Sequence, residues 1–252
     1  MYRYYDTYGT YHSGKIYSDN KHYFRFDLED DDIYELLKKI RPQVIISALR
    51  GPFEAQIEAH QLIMLYAQQT KSKVLLLSSA NVFDAFSHYP SYELDKTLSE
   101  SIYGKLKMRC EHIMMRNLPE KQYAICRLPM VFGAGTPRVQ ELKNLVSNTE
   151  AVEVFPHLII NTNTISKLTQ QLHYIINRKL FGIFHLGSTD LIHHKEFIHE
   201  LIHGLNLNKS PIYKNVYTSN YDRYLAVLPR DNKLPKHLDI TNDEVLQGNH
   251  KL

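Results

Sequence analysis

Tyrosine and lysine pairs spaced four residues apart are the most chemically suggestive feature of this sequence. Five pairs match: Tyr11/Lys15, Tyr17/Lys21, Tyr34/Lys38, Tyr92/Lys96 and Tyr103/Lys107. On a helix this spacing puts both side chains on one face, where the ammonium group can stabilise the phenolate and lower the pKa of the tyrosine. Such a tyrosine can donate a proton to a ketone oxygen. A chain with eighteen tyrosines also produces the pattern by chance, so the surrounding secondary-structure elements must show which pair could be catalytic.

Only the pair Tyr103/Lys107 lies in a predicted helix that follows a buried strand ending in serines. The strand is predicted at 74–77, a continuous apolar run typical of burial on both faces, and Ser78 and Ser79 come directly after it. Ligands of open parallel sheets bind beyond the carboxyl ends of the strands. We therefore expect Ser79 to hydrogen-bond the same carbonyl that Tyr103 protonates. The alternative is that Tyr103 is an ordinary surface residue beside a lysine.

These residues lie within an alternation of short apolar runs and amphipathic patterns. Strands are predicted at 24–28, 44–47, 74–77, 123–128, 152–155 and 182–186, and helices at 30–40, 52–69, 99–115, 139–146, 165–176 and 195–205. Such an alternation is typical of a parallel sheet with crossover helices. The expected fold class is α/β, with a Rossmann-like parallel sheet, helices on both of its faces and a smaller C-terminal substrate lobe.

Composition and charge exclude several classes of function. Hydrophobic residues make up 43% of the chain and charged residues 23%, which is ordinary for a globular protein. Since no apolar run approaches the ~18 residues of a membrane span and the first residues do not form a secretory signal, we expect a cytoplasmic protein without a membrane partner. The two cysteines lack C-x-x-C spacing and are interpreted as reduced thiols. A dispersed net charge of +3 argues against nucleic acid as a partner.

Three stretches carry a resemblance to a known family. They are Ser78-Ser79-Ala80-Asn81-Val82-Phe83-Asp84, Tyr103-Gly104-Lys105-Leu106-Lys107 and Arg127-Leu128-Pro129-Met130-Val131-Phe132-Gly133. In order and spacing they resemble the extended short-chain dehydrogenases/reductases, and most closely the dTDP-4-dehydrorhamnose reductase group of sugar-nucleotide-binding proteins. The similarity extends over residues 9–205.

The resemblance implies an NADP-dependent or NAD-dependent reductase that transfers a hydride to a keto group of a nucleotide-activated sugar. It implies a catalytic triad of Ser79, Tyr103 and Lys107, with Lys107 also touching the nicotinamide ribose. The implied cofactor-binding residues are Tyr11, His12, Ser13 and Lys15 at the adenosine ribose, Asp27 and Leu28 near the adenine, Ser47, Ala48 and Leu49 along the cofactor, and Leu128, Pro129, Met130 and Val131 beside the nicotinamide. The implied substrate-binding residues are Asn81, Val82, Phe83 and Arg127. A lysine at position 15 without an acidic neighbour favours NADP over NAD.

The same resemblance implies a division into two domains. Residues 1–128, with 157–190 returning to them, would form the Rossmann-like cofactor domain, and 129–156 with 191–252 the substrate-binding lobe. A homodimer is compatible with this organisation.

The start of the sequence departs from the family pattern. The family opens with a strand, a glycine-rich turn and a helix whose amino terminus holds the pyrophosphate. Here Tyr2-Arg3-Tyr4-Tyr5 resembles the end of that helix, and Gly9-Thr10-Tyr11 the second strand. Without the first strand, two apolar strand edges and a slot in the core would remain. We expect an incomplete gene model that lacks roughly twenty-odd residues, and cofactor binding depends on that segment.

Two further departures leave room for a protein without catalysis. Ala80 and Asn81 stand where the reductases often have an acidic and an aromatic residue. Some relatives, such as the regulatory beta subunit of methionine adenosyltransferase, resemble non-catalytic binders on this fold. A catalytically inactive sugar-nucleotide-binding, dinucleotide-binding or regulatory protein is therefore the main alternative.

A competing motif, His199-Glu200-Leu201-Ile202-His203, matches the H-E-x-x-H pattern of zinc metallopeptidases. Fourteen histidines make a chance match plausible, and no third ligand follows at helical spacing. The apolar flanks equally describe an ordinary amphipathic helix. We therefore expect no metal site and keep the zinc peptidase as a remote alternative. His193 and His194 are interpreted as surface residues at the start of this helix.

Overall fold

The computed structural model describes residues 4–14, 20–85, 88–133 and 135–250, and it has the α/β fold expected from the sequence. The helices are α1 (Ile33–Ile40), α2 (Phe53–Thr70), α3 (Ile102–Asn117), α4 (Pro137–Ser147), α5 (Ile165–Asn177), α6 (His194–Gly204) and α7 (Asn242–His250). The strands are β1 (Gly9–Tyr11), β2 (Tyr23–Arg25), β3 (Val44–Ser47), β4 (Lys73–Ser79), β5 (Tyr123–Leu128), β6 (Met130–Phe132), β7 (Ala151–Val154), β8 (Leu158–Ile160), β9 (Thr162–Thr164), β10 (Gly182–His185), β11 (Ile192–His193), β12 (Ile212–Asn215) and β13 (Arg223–Leu225). No helix in the described ranges is long and apolar enough to cross a membrane.

A four-stranded parallel sheet in the order β10-β5-β4-β3 positions the candidate site. In β4, Val74, Leu75 and Leu76 are fully buried, as the continuous apolar run predicts for a strand covered on both faces. The parallel register pairs Ser47 of β3 with Leu76, so β4 extends three residues further, to Ser79. The polar residues that end β3 and β4 therefore lie at the same edge of the sheet.

The strand predicted at 24–28 is shorter in the structure, and the following helix begins later than predicted. After β2 the chain turns, because the Asp27 amide donates to an Asp31 carboxylate oxygen at 2.7 Å and the Asp31 amide donates to the Asp27 carbonyl at 2.9 Å. Helix α1 then begins at Ile33 instead of Asp30, with Asp32 as its N-cap. The Asp32 carboxylate accepts the amide of Tyr34 at 2.7 Å.

An open strand edge lies beside β3. Among the described residues, β1 pairs in parallel with β2 alone, and β3 pairs with β4 alone. Val44 and Ile46 of β3 line a cavity of about 580 Å³, together with residues 4–8 and Ile176. Ile46 is 39% exposed, whereas its register partner Leu75 is fully buried. The open edge of β3 thus borders this cavity.

The chain divides into two compact units. The first comprises Met1–Leu77, Leu106–Ile125 and Ile175–Gly182. The second comprises Ser78–Lys105, Cys126–Tyr174 and Ile183–Leu252. Within the first unit, α2 and β4 supply four of the largest fully buried side chains, His60, Met64, Leu75 and Leu76. The domain boundaries expected from the family resemblance stay a prediction.

The second unit has an apolar core and a buried polar network. The core combines side chains of α4, α6, α7 and the short strands, among them Phe132, Val139, Val154, Phe197 and Leu201. Beside it, the completely buried Asn161 donates through Nδ2 to the carbonyls of Ser188 at 3.0 Å and Val227 at 2.8 Å. Its Oδ1 accepts the Val227 amide at 3.1 Å. Because each of these polar atoms has a partner, the network tolerates burial.

Candidate active site

Ser79 ends β4 and begins the turn that follows it. The residue is 9% exposed, and its backbone leads into a 3-10 turn, Ala80–Phe83. Its hydroxyl accepts the Asn81 amide at 3.2 Å and donates to Asn81 Oδ1 at 3.0 Å. Ser79 and Asn81, both predicted site residues, are therefore brought together as a hydrogen-bonded pair.

Tyr103 is the second residue of α3, and its side chain is accessible, with 42% of its surface exposed. The helix begins three residues later than the predicted start at Ser99. Ser101 is the N-cap, because its hydroxyl oxygen accepts the Gly104 amide at 3.0 Å. The Asp84 carboxylate holds this cap, since it accepts the hydroxyl of Ser101 and the Glu100 amide at 2.7 Å. The phenol of Tyr103 thus stands at the first turn of a capped helix.

Lys107 lies one helical turn after Tyr103, and its side chain is buried with 5% of its surface exposed. The ammonium group donates to the Leu77 carbonyl at 3.3 Å. Burial lowers the pKa of Lys107, while neighbouring Cys110 and Glu111 favour its charged form. Position, burial and charge partners suit a lysine that acts on a group of its own helix.

Other matches to the tyrosine and lysine pattern lie in different surroundings. On α1, Lys38 pairs with Glu35 at 2.8 Å and stands over the Tyr34 ring at 5.6 Å, on an exposed surface. Tyr92 and Lys96 lie in the loop before α3, outside any helix. Lys15 and Tyr17 lie outside the described residues. Among pairs that the structure describes completely, Tyr103 and Lys107 alone combine a helix, an exposed phenol and a buried lysine.

Gly104 brings the first turn of α3 into direct contact with the turn after Ser79. A Cβ at this position would lie 2.8 Å from Ser99 Cβ and still closer to Ser99 Oγ and to the Asn81 carbonyl oxygen. Those separations are far below the 3.5–4.0 Å or so of ordinary carbon contacts. Glycine is therefore required here for close packing, which holds the residue next to Tyr103 against the Ser79–Asn81 pair.

Ser47, predicted to lie along the cofactor, is buried and bound to His60. Burial lowers the pKa of His60 to about 4, so the imidazole is neutral at pH 7. Its Nδ1 faces the Gln56 carbonyl at 2.6 Å and must carry the proton, which leaves Nε2 to accept the Ser47 hydroxyl at 3.0 Å. Ser47 therefore fixes the end of β3 internally, while the next residue, Ala48, is exposed.

The predicted adenosine-side residues of the first unit form an exposed polar surface after β1. His12 and Ser13 are exposed, and His12 Nε2 lies 3.1 Å from Asp27 Oδ2. The pKa of Asp27 is lowered, chiefly because its carboxylate accepts the Glu29 amide, with a further contribution from His12. Tyr11 ends β1, and its carbonyl accepts the Phe26 amide at 2.9 Å. Lys15 lies outside the described residues.

The other predicted cofactor residues follow the ends of β2, β3 and β5. Leu28 and Leu49 are half-buried, as are the four residues predicted beside the nicotinamide, Leu128, Pro129, Met130 and Val131. Their partial exposure is compatible with a ligand, and their role at the cofactor stays a prediction.

Arg127, predicted to bind substrate, is 2% exposed and enclosed by residues of the second unit. Its guanidinium donates to the Glu93 carbonyl at 3.1 Å, lies 3.5 Å from His185 Nε2 and stacks on the Phe83 ring at 4.8 Å. Burial is the main cause that lowers the pKa of His185 to about 3, with Arg127 adding to the effect. Val82 and Phe83 are likewise buried, so Asn81 is the more accessible of the predicted substrate residues.

The H-E-x-x-H motif lies on α6, where the ring of His199 packs against Tyr213 with 3.8 Å between centroids. In the part of the chain that the structure describes, no three His, Cys, Asp or Glu side chains converge to hold a metal ion. The zinc alternative gains no support from this arrangement. The interpretation of His194 as a surface residue is wrong: it is 5% exposed, and its Nδ1 accepts the Phe155 amide at 3.3 Å.

Sequence reasoning did not single out Asp84, Glu93, His60 or Gly104. Glu93 is 1% exposed, and its carboxylate accepts the backbone amides of Arg230 at 3.0 Å and Asp231 at 3.1 Å. These partners of Glu93 are more than a hundred residues away in the sequence, so no local spacing could predict them. Asp84 and Gly104 lie in stretches that carry the family resemblance, but no pattern in the sequence indicated their contacts.

Comparison with known proteins places this geometry in a family. The family model described as the RmlD substrate binding domain matches residues 50–234, more than half of the chain. No curated protein sequence matches. The structure is similar to a dTDP-4-dehydrorhamnose reductase of Clostridium acetobutylicum, with 17% identity, 96% of this chain and 97% of that chain covered and a TM-score of 0.73. It is also similar to the dTDP-4-dehydrorhamnose reductase of Bacillus anthracis in complex with NADP, with 17% identity, 96% of each chain covered and a TM-score of 0.75.

A dTDP-glucose 4,6-dehydratase of Bacillus anthracis in complex with NAD is similar as well, with 12% identity, 94% of this chain and 81% of that chain covered and a TM-score of 0.72. At such identities the likeness shows the fold alone. Together with the family match, it establishes that this chain belongs to the RmlD substrate-binding domain family and has the extended short-chain dehydrogenase/reductase fold of sugar-nucleotide enzymes.

Proposed function

We propose that this chain is an NADP-dependent reductase that acts on a keto group of a nucleotide-activated sugar in carbohydrate biosynthesis. The observation that carries the proposal is the first part of α3. It presents an exposed tyrosine and, one turn later, a buried lysine, and its first turn packs on the turn that follows Ser79.

In this proposal, Tyr103 donates its phenolic proton to the keto oxygen of the substrate. The ammonium group of Lys107 stabilises the phenolate that remains and thereby favours the transfer. Ser79 donates a hydrogen bond to the same oxygen once its hydroxyl turns away from Asn81 Oδ1. The triad implied by the family resemblance would thus consist of a proton donor, an electrostatic partner and a carbonyl anchor.

NADP would supply the hydride when bound. His12 and Ser13 are exposed polar side chains that suit the adenosine ribose and its phosphate, and the Asp27 carboxylate can accept from ribose hydroxyls. Leu28 and Leu49 offer half-buried apolar surface. These groups fit a dinucleotide in donor type and accessibility, and the NADP complex of the Bacillus anthracis reductase supports the choice of cofactor.

The test replaces Tyr103 by Phe and follows NADPH oxidation with dTDP-4-dehydrorhamnose as substrate. Loss of the proton donor is expected to lower kcat by about 10²-fold or more, since general acid catalysis contributes roughly that much. Tyr34→Phe, in the exposed pair on α1, is the matched control and should keep full activity. Unchanged turnover in Tyr103→Phe would refute the assignment.

A binding protein without turnover is the second candidate. It is favoured by the two hydrogen bonds that Ser79 exchanges with Asn81, because they occupy the hydroxyl that would anchor a carbonyl. This candidate predicts that calorimetry detects binding of NADPH or dTDP while the wild-type chain oxidises no NADPH. Turnover by the wild type that depends on Tyr103 would exclude it.

A further inference from the structure

Asp84 connects the turn after Ser79 with the start of α3. One carboxylate oxygen accepts the Glu100 amide at 2.7 Å, and the other accepts the hydroxyl of Ser101. The Ser101 oxygen in turn accepts the amide of Gly104 at 3.0 Å. Ser101 is therefore the N-cap that satisfies the Gly104 amide of α3, and the Asp84 carboxylate holds this N-cap and the residue before it, while its charge complements the helix dipole.

The backbone of Asp84 is held at two points of its own. Its amide donates to the Asn81 carbonyl at 3.3 Å, which ties it to the 3-10 turn. Its carbonyl accepts from the guanidinium of Arg223 at 3.2 Å. Asp84 is thus anchored independently of α3, so that its side chain can act as a fixed support for the helix.

The contact between the first turn of α3 and the turn after Ser79 leaves no free space. Gly104 packs so closely on Ser99 and on the Asn81 carbonyl oxygen that even a methyl group would overlap them. A small movement of the first turn therefore either breaks this contact or creates a clash. Tyr103, which lies in that turn, has its position relative to the Ser79–Asn81 pair set by the same contact.

We propose that Asp84 is a positioning residue. It holds Tyr103 in place through two successive hydrogen bonds, from Ser101 to Asp84 and from the Gly104 amide to Ser101. The catalytic consequence rests on the proposed function, whereas the effect on the Tyr103 side chain does not. Loss of the support should misplace the phenol without removing any group that touches substrate.

The experiment compares Asp84→Asn and Ser101→Ala with Asp95→Asn. Asp95 is the matched control because it lies in the same loop and accepts a backbone amide, that of Tyr92 at 2.8 Å. Tyrosine rings labelled with carbon-13 are observed by NMR, and the Tyr103 signal is assigned by its absence in Tyr103→Phe. We expect the Tyr103 signal to shift or broaden in both test variants and to stay in place in the control.

Steady-state kinetics provide the second readout. Asp84→Asn is expected to lower kcat by about 10-fold to 100-fold, the cost of a small misplacement, with the KM for NADPH changed less than about twofold. If the wild type shows no turnover, the proposed function fails, and the NMR signal still decides the role of Asp84. An unchanged Tyr103 signal in Asp84→Asn overturns the proposal. If Asp84→Asn does not fold, the signal in Ser101→Ala decides in the same way.

Discussion

Gly104 shows how strongly one residue constrains the candidate active site. It occupies the third position of α3, where an alanine would ordinarily favour the helix by up to ~1 kcal/mol. Its surroundings demand the opposite, because Ser99 and the Asn81 carbonyl oxygen occupy the space of a Cβ. Helix propensity and packing therefore predict opposite signs for the same substitution.

Gly104→Ala is expected to lower the free energy of unfolding by about 1–3 kcal/mol, the usual cost of overpacking. Gly248→Ala in α7 is the control, because a Cβ there meets only Thr164 Cγ2, at 3.9 Å. This control should be neutral or stabilise the chain by up to ~1 kcal/mol. Urea unfolding of both variants measures the difference. A stabilised Gly104→Ala would mean that α3 does not pack on the turn after Ser79.

At the scale of elements, β3 and β4 are adjacent strands whose side chains are buried to different extents. Ile46 and Leu75 are partners in the parallel register, but the first lines a cavity and is 39% exposed while the second is fully buried. Because hydrophobic stabilisation follows the apolar area removed from water, the two side chains should contribute very differently to stability.

Leu75→Ala is expected to lower the free energy of unfolding by about 2–5 kcal/mol, the range for fully buried leucines. Ile46→Ala should cost less, about 1 kcal/mol, because 39% of its surface remains in water. Urea unfolding at pH 7 compares the variants directly. If both variants lost the same free energy of unfolding, Ile46 would be as buried as Leu75 in solution, and the edge of β3 would not be open.

The start of helix α3 depends on residues distant in the sequence. Its predicted start at Ser99 follows from local pattern, whereas the observed start at Ile102 follows from the N-cap Ser101, which the distant Asp84 carboxylate holds. The strands β3 and β5 coincide with their predictions at 44–47 and 123–128, since continuous apolar runs bounded by turns define them locally.

Over the whole molecule, buried neutral histidines make the free energy of unfolding depend on pH. Burial lowers the pKa of His60 in the first unit and of His194 in the second to about 4, and that of His185 to about 3. The ordinary value of about 6.5 applies to the unfolded chain. Below pH 6.5 the unfolded chain therefore binds more protons than the folded one, so stability is complete above that pH and falls as the pH falls towards 4.

Between pH 7 and pH 5, His60 alone is expected to lower the free energy of unfolding by about 2 kcal/mol, given a shift of the size cited. Urea unfolding at the two pH values measures this loss, and His60→Gln should reduce the pH dependence by that amount. His112→Gln, on the exposed face of α3, is the matched control. A pH dependence unchanged in His60→Gln would show that His60 is not buried as described.

The sequence by itself determined the α/β class and most strands of the main sheet, and it predicted Ser79, Tyr103 and Lys107 as the candidate catalytic residues. These inferences rest on local periodicity and on the order of elements, which a chain expresses over short distances.

Only the tertiary structure decided which partners those residues have. It showed that Ser47 is bound to His60, that Arg127 is enclosed by Phe83, Glu93 and His185, and that Asp84 holds Ser101, the N-cap of α3. Each of these contacts joins residues distant in sequence, and hydrogen bonding depends on separations of about 3 Å that no periodicity records. The sequence thus identifies the chemical groups of the candidate site, and the packing of the chain around Gly104 decides how they are held.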